Sequence, residues 1–146
     1  MNILVSACLL GNNCRYDGKS VPCRHVMDLA QKHRLFPVCP EQMGGLPTPR
    51  LPSEIVNGKV LRSDGVSVDG EYRRGAEAAL KTALDNGITL AIMKSASPSC
   101  GNGRIHNGRF DGGMTDGDGI TTALLREYGI TVINETELNT IDELTV

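Results

Sequence analysis

The sequence contains no tryptophan, and three Tyr and two Phe bring its aromatic share to only 3% of 146 residues. A core must therefore be assembled from Leu, Ile, Val, Ala and Met. No apolar run approaches the roughly 18 residues that a membrane span requires. The first residues, Met1-Asn2-Ile3-Leu4-Val5, lack the basic region of a secretory signal, and their apolar run is cut by Cys8, Gly11 and Asn12. A cytoplasmic location is the expectation. The net charge of −2 supplies no general attraction for a phosphate backbone. No Cys-x-x-Cys occurs, so neither a zinc knuckle nor a thioredoxin-type site is spelled locally. Gly11 begins no G-x-G-x-x-G fingerprint, which argues against a dinucleotide-binding domain. Five cysteines do not pair off, and a reducing compartment argues against a disulfide framework.

What remains is the pattern of a single α/β domain spanning 1–146. Seventeen Gly and seven Pro cluster between the apolar runs, which indicates long ordered loops over a compact scaffold. Short continuous aliphatic runs at 2–7, 35–39, 88–93 and 130–133 predict strands of a mostly parallel sheet covered on both faces. The first of these is expected to be central. Helices are predicted over 23–34, 71–86 and 118–128, with Gly87 and Gly129 ending the last two. Asn57-Gly58 between Glu54-Ile55-Val56 and Lys59-Val60-Leu61-Arg62 is a hairpin signal. Seven glycines between 101 and 119 predict an elaborate loop with a short hairpin at 105–110, and the acidic tail a final short helix.

The cysteines fall where such a sheet does its chemistry. Cys8 ends the first apolar run, Cys39 ends the second, and Cys100 follows the run Ile88–Met93 through Lys94-Ser95-Ala96-Ser97-Pro98-Ser99. They are 31 and 61 residues apart, yet the carboxyl ends of parallel strands lie on one edge, where ligands bind. Three thiolates there suit a zinc ion or an iron–sulfur cluster with one position open, and the residue types alone leave both open. Plain burial of small residues is the competing reading. Cys14, in the loop near Cys8, is a candidate fourth ligand, while Cys23 opens a helix and reads as structural. His25, His33 and His106 read as surface residues.

Five segments then carry a resemblance: Ser6-Ala7-Cys8-Leu9-Leu10-Gly11, Cys14-Arg15-Tyr16-Asp17-Gly18, Cys39-Pro40-Glu41, Gly44-Gly45-Leu46-Pro47-Thr48-Pro49-Arg50 and Ser97-Pro98-Ser99-Cys100-Gly101. In this order, over nearly the whole chain, they resemble the thiouracil desulfidase family. The resemblance implies a Rossmann-like three-layer α/β fold and a 4Fe–4S cluster on three cysteines, here Cys8, Cys39 and Cys100, with one iron open. It implies hydrolytic, non-redox removal of sulfur from a thiolated pyrimidine, giving the oxo base and sulfide. Glu41 is then the candidate acid/base, and Ser97 the residue that orients water or ring. Asp17, Tyr16, Arg50 and Lys94 are candidate substrate contacts. A small thiopyrimidine is favoured over thiolated tRNA because basic residues are few. The alternatives are a non-catalytic iron–sulfur carrier or redox sensor, and a zinc-dependent small-molecule hydrolase.

Overall fold

Ile3-Leu4-Val5 and Leu90-Ala91-Ile92 are apolar at every position because both faces of their strands are covered, and all six residues are fully or almost fully buried. A computed structural model describes residues 1–144. In it β1 (Asn2–Ser6) and β5 (Leu90–Ile92) form the centre of a parallel four-stranded sheet. β2 (Arg34–Val38) flanks β1 at one edge, and β8 (Thr131–Ile133) flanks β5 at the other. Pro37 lies within β2 opposite Val5 and is tolerated because β2 is an edge strand.

Alternation along these strands divides the core into two layers. Leu4, Ala91, Met93 and Val132 pack with Ala79, Leu80 and Ala83 of α3 (Asp69–Asp85) and Leu125 of α4 (Ile120–Glu127). Ile3, Val5, Leu90, Ile92 and Ile133 pack on the other face with Val26 of α1 (Arg24–Asp28), with Leu138 and with Ile141 of α5 (Ile141–Leu144). Helices on both faces of a parallel sheet give the Rossmann-like three-layer fold expected. No helix among the described residues is long and apolar enough to cross a membrane.

Several boundaries differ from expectation. The helix predicted over 23–34 is one short α-helix followed by a 3-10 turn at Leu29–Gln31; only Val26 of its span is fully buried, and its N-cap makes no side-chain bond. Of the run 88–93, Leu90–Ile92 forms the ladder with both neighbouring strands, and Thr89 and Met93 extend the bonding to β8. The hairpin signalled by Asn57-Gly58 forms, as β3 (Ser53–Val56) against β4 (Lys59–Arg62). The one expected at 105–110 is instead β6 (Arg104–His106) against β7 (Met114–Asp116), with 107–113 as its tip. The remaining helix, α2 (Pro40–Met43), starts with Pro at its first position, where no backbone donor is missed.

Glycine fixes how α2 sits. A Cβ at Gly44 would overlap the Glu71 carbonyl, and one at Gly75 the Pro40 carbonyl. Only hydrogen at both positions lets α2 meet α3 backbone to backbone. That contact places the residues on either side of Pro40, namely Cys39 and Glu41.

Candidate functional site

The loops leaving the carboxyl ends of β1, β2 and β5 surround a cavity of about 520 Å³. Cys8 lies in a 3-10 turn directly after β1, Cys39 follows β2 and caps α2, and Cys100 lies eight residues beyond β5. All three line the cavity. So does Cys14, while Cys23 does not. Cys23 packs beside α1 against the core layer of Ile3, Val5 and Val26. The sheet edge thus brings together thiols far apart in sequence, and it adds one that spacing alone had left undecided.

These thiols interact. The Cys39 Sγ faces the Cys14 carbonyl at 3.6 Å. A hydrogen bond to Cys14, followed by burial, pushes the Cys39 thiol well above its ordinary range. For Cys14, the bond from Cys39 pulls downward, but the bond to Cys8 and burial outweigh it and leave the thiol raised. Burial pushes Cys100 up to about 12, with Ser6 and Ser99 hydroxyls partly offsetting it. At neutral pH these three groups are therefore thiols, and any of them that ligates a metal would release its proton. All five cysteines are free. Among the described residues no group of three His, Cys, Asp or Glu side chains is arranged to hold a single metal ion. The chemistry of the donor set, four sulfur atoms around one cavity at 4–7% exposure or half-buried, fits a soft iron–sulfur centre.

Beside the thiols runs a chain of polar groups. The Cys100 backbone N–H donates to Ser97 Oγ at 2.7 Å, which fixes the turn. Ser97 Oγ lies 3.3 Å from Ser99 Oγ, and Ser99 donates to Glu41 Oε2 at 2.9 Å. Glu41 Oε1 accepts from Arg50 Nε at 3.0 Å. The buried Tyr72 hydroxyl is raised by burial and by the nearby Glu41 carboxylate. Ser97, Ser99, Glu41, Arg50 and Tyr72 all line the cavity.

Arg50 is committed to the protein itself. Besides Glu41, it donates to the carbonyls of Cys14 at 2.9 Å and Pro47 at 3.1 Å and to Thr48 Oγ1 at 2.9 Å. It therefore ties the Cys14 loop to α2 and fixes the Glu41 side chain so that its other oxygen faces Ser99. Lys94 is also at the cavity, with its ammonium 3.0 Å from Glu135 Oε2. Burial pushes Glu135 up, but Lys94 and Ser95 outweigh it and hold the carboxyl below its ordinary value.

Of the other sequence candidates, Tyr16 lines the cavity and is 40% exposed, with the Arg15 guanidinium over its ring 5.7 Å from the centroid. Asp17 is not among the lining residues. Its Oδ1 accepts from the Lys19 N–H at 3.0 Å, closing a local turn. Sequence reasoning overlooked Glu54, His106 and Phe110, which reach the cavity from the two accessory hairpins. His106, taken as a surface residue, presents a buried Nδ1 without a hydrogen-bond partner among the described residues. Their only sequence signals were the hairpin turns themselves.

The 2-thiouracil desulfurase family model matches residues 3–137. The uncharacterized protein YbbK of Bacillus subtilis (strain 168) is 40% identical over 149 residues, covering 95% of this chain and 99% of YbbK. Among solved structures, the 4Fe–4S-dependent thiouracil desulfidase TudS is 47% identical. It superposes with a TM-score of 0.93 over 98% of this chain and 96% of its own.

Proposed function

The chain belongs to the 2-thiouracil desulfurase family, and from that premise we propose that it hydrolyses a small thiolated pyrimidine to its oxo form and releases sulfide. The observation that carries this reading is the meeting of Cys8, Cys39 and Cys100 with Glu41 and Ser97 at one cavity. Cys8, Cys39 and Cys100 would hold a 4Fe–4S cluster, with Cys14 as an adjoining thiol outside the ligand set. When bound, such a cluster supplies an iron free of protein ligands, a Lewis acid matched to the soft sulfur of a thiocarbonyl.

The chain's own residues supply the rest. Glu41 accepts a proton from the attacking water, because its Oε2 faces the cavity through Ser99 while Oε1 is fixed by Arg50. Glu41 returns that proton through the Ser99 hydroxyl to the departing sulfide, whose second proton comes from the new C–OH as it becomes C=O, while Ser97, fixed by the Cys100 N–H, orients the water. Arg50 orients Glu41 by occupying its second oxygen. Lys94, pinned by Glu135, offers a positive charge at the wall for an anionic or carbonyl edge of the pyrimidine. The overall change takes one water, exchanges the C=S bond for C=O, and gives hydrogen sulfide with no net electron transfer.

Incubation of the reconstituted protein with 2-thiouracil and 4-thiouracil in ¹⁸O-labelled water tests this reading. Equal amounts of sulfide and uracil, with one label atom per uracil, are expected, and Glu41→Gln should remove them while retaining the cluster. Uracil without label, or sulfide formed only with added reductant, would contradict hydrolysis.

A further inference from the structure

The tip between β6 and β7 is held to the cavity by a single carboxylate. Glu54 Oε1, on β3, accepts the backbone N–H groups of Gly108 at 2.9 Å and Phe110 at 3.2 Å. Glu54 is only 8% exposed and lines the same cavity. Gly108 sits against β3 so closely that a Cβ would lie 2.5 Å from the Ile55 carbonyl oxygen. The tip is also cross-linked within itself. Asn107 N–H donates to the Gly113 carbonyl at 3.0 Å, Arg109 N–H to Asn107 Oδ1 at 2.9 Å, and Gly113 N–H to Asp111 Oδ1 at 2.8 Å. Seven residues without a hydrophobic cluster of their own are thereby fixed in one shape.

What this framework presents is Phe110. Its φ is +56°, a left-handed conformation that bulky side chains rarely adopt. The residue is 39% exposed, belongs to none of the three hydrophobic clusters, and lines the cavity. A chain with two phenylalanines has placed one where it adds nothing to the core and strains the backbone. Such strain persists where surrounding contacts over-determine it, and it concentrates at ligand sites. Tyr16, the other exposed aromatic at the cavity, already has the Arg15 guanidinium over its ring.

We propose that Phe110 is the stacking face for the pyrimidine ring of the substrate, and that Glu54 is the positioning residue that holds it there. The proposal rests on the thiopyrimidine reading above and adds to it a residue that sets affinity for the ring. A planar heteroaromatic ring gains through stacking on a fixed phenyl face without any hydrogen-bond readout, which makes the contact indifferent to whether the ring carries oxygen or sulfur. Substrate and product rings should therefore depend on Phe110 alike.

Equilibrium dialysis of 2-thiouracil and uracil against the full reconstituted chain, with Glu41→Gln present in the wild-type reference and in every variant so that nothing is turned over, tests this. Phe110→Ala should weaken both ligands about tenfold, Phe110→Leu should be as weak, and Phe110→Trp should bind at least as well as wild type. Glu54→Ala should weaken binding to the same extent but add nothing in the Phe110→Ala background, while Glu54→Gln, which keeps the acceptor oxygen, should bind normally. Because the chain has no other tryptophan, Phe110→Trp also provides a fluorescence reporter on the unreconstituted protein. Saturable quenching by 2-thiouracil is expected there, and none from Tyr128→Trp, a 57% exposed position away from the cavity. Full affinity in Phe110→Leu, or binding within twofold of wild type in Phe110→Ala, would overturn the stacking role while leaving the substrate reading intact. Failure of wild type to take up 2-thiouracil at all would overturn both.

Discussion

Replacing Arg50 by Met tests whether the polar side of the cavity is built around one buried guanidinium. The Arg50 and Glu41 side chains are 6% and 13% exposed, so water cannot readily replace either partner. Arg50→Met leaves a carboxylate without its cation and strips donors from the Cys14 and Pro47 carbonyls and from Thr48. Breaking a buried pair by removing one member costs about 3–5 kcal/mol, against a total stability of roughly 5–15 kcal/mol. At a urea dependence of about 2 kcal/mol per molar, the unfolding midpoint should fall by roughly 2 M. Removing the second charge as well, in Arg50→Met/Glu41→Gln, should recover more than half of the loss, because no ion is then left stranded. Arg50→Lys keeps the charge but not the fork that spans several oxygens, and should fall between. Equilibrium urea unfolding followed by circular dichroism gives the midpoints of wild type, these three variants and Glu41→Gln alone. A shift below about 0.5 M for Arg50→Met, or a double variant as unstable as the sum of the singles, would refute the argument.

Two further outcomes follow from other contacts. Gly75→Ala would stabilise an ordinary helix by about 1 kcal/mol, but here the methyl meets the Pro40 carbonyl. It should instead lower thermal stability and displace α2, reducing the iron retained after reconstitution; unchanged iron content would show that α2 does not position Cys39. Glu135→Gln should cost about 1–2 kcal/mol at pH 7 through lost bonds to Lys94 and Ser95. Because the folded carboxyl lies below its unfolded value near 4.3, its contribution is present above that pH and is lost as pH falls through the folded value. The gap from wild type should therefore close below about pH 4, and a gap constant from pH 7 to 3 would contradict the pairing.

The sheet and the edge at which the thiols meet were legible because they follow from local composition. Ile3-Leu4-Val5 and Leu90-Ala91-Ile92 can only be strands buried on both faces, and the topology of parallel strands puts the residues after them on one side. Asn57-Gly58 announced its hairpin for an equally local reason. What stayed hidden depends on contacts across long stretches of chain. Arg50 looks like a loop cation, yet folding buries it between Glu41 and the Cys14 carbonyl, 36 residues away. Glu54 reads as a polar strand residue, and nothing near it in sequence announces the Gly108 and Phe110 amides it receives. Asp17 shows the reverse, a polar residue within a telling motif whose carboxylate closes its own turn. Cys14 lies between these cases, since its loop allowed it to reach the other thiols and only the fold brings it there.

The most direct test of the account is anaerobic reconstitution with iron and sulfide, followed by visible spectroscopy, iron counting and sulfide release from 2-thiouracil. Wild type is compared with Cys8→Ala, Cys14→Ala, Cys39→Ala and Cys100→Ala. The account predicts a brown protein with about four irons per chain that releases sulfide. Colour and activity should be lost on replacing Cys8, Cys39 or Cys100, and the colour should be kept on replacing Cys14. A colourless protein that retains zinc on these thiols would contradict it.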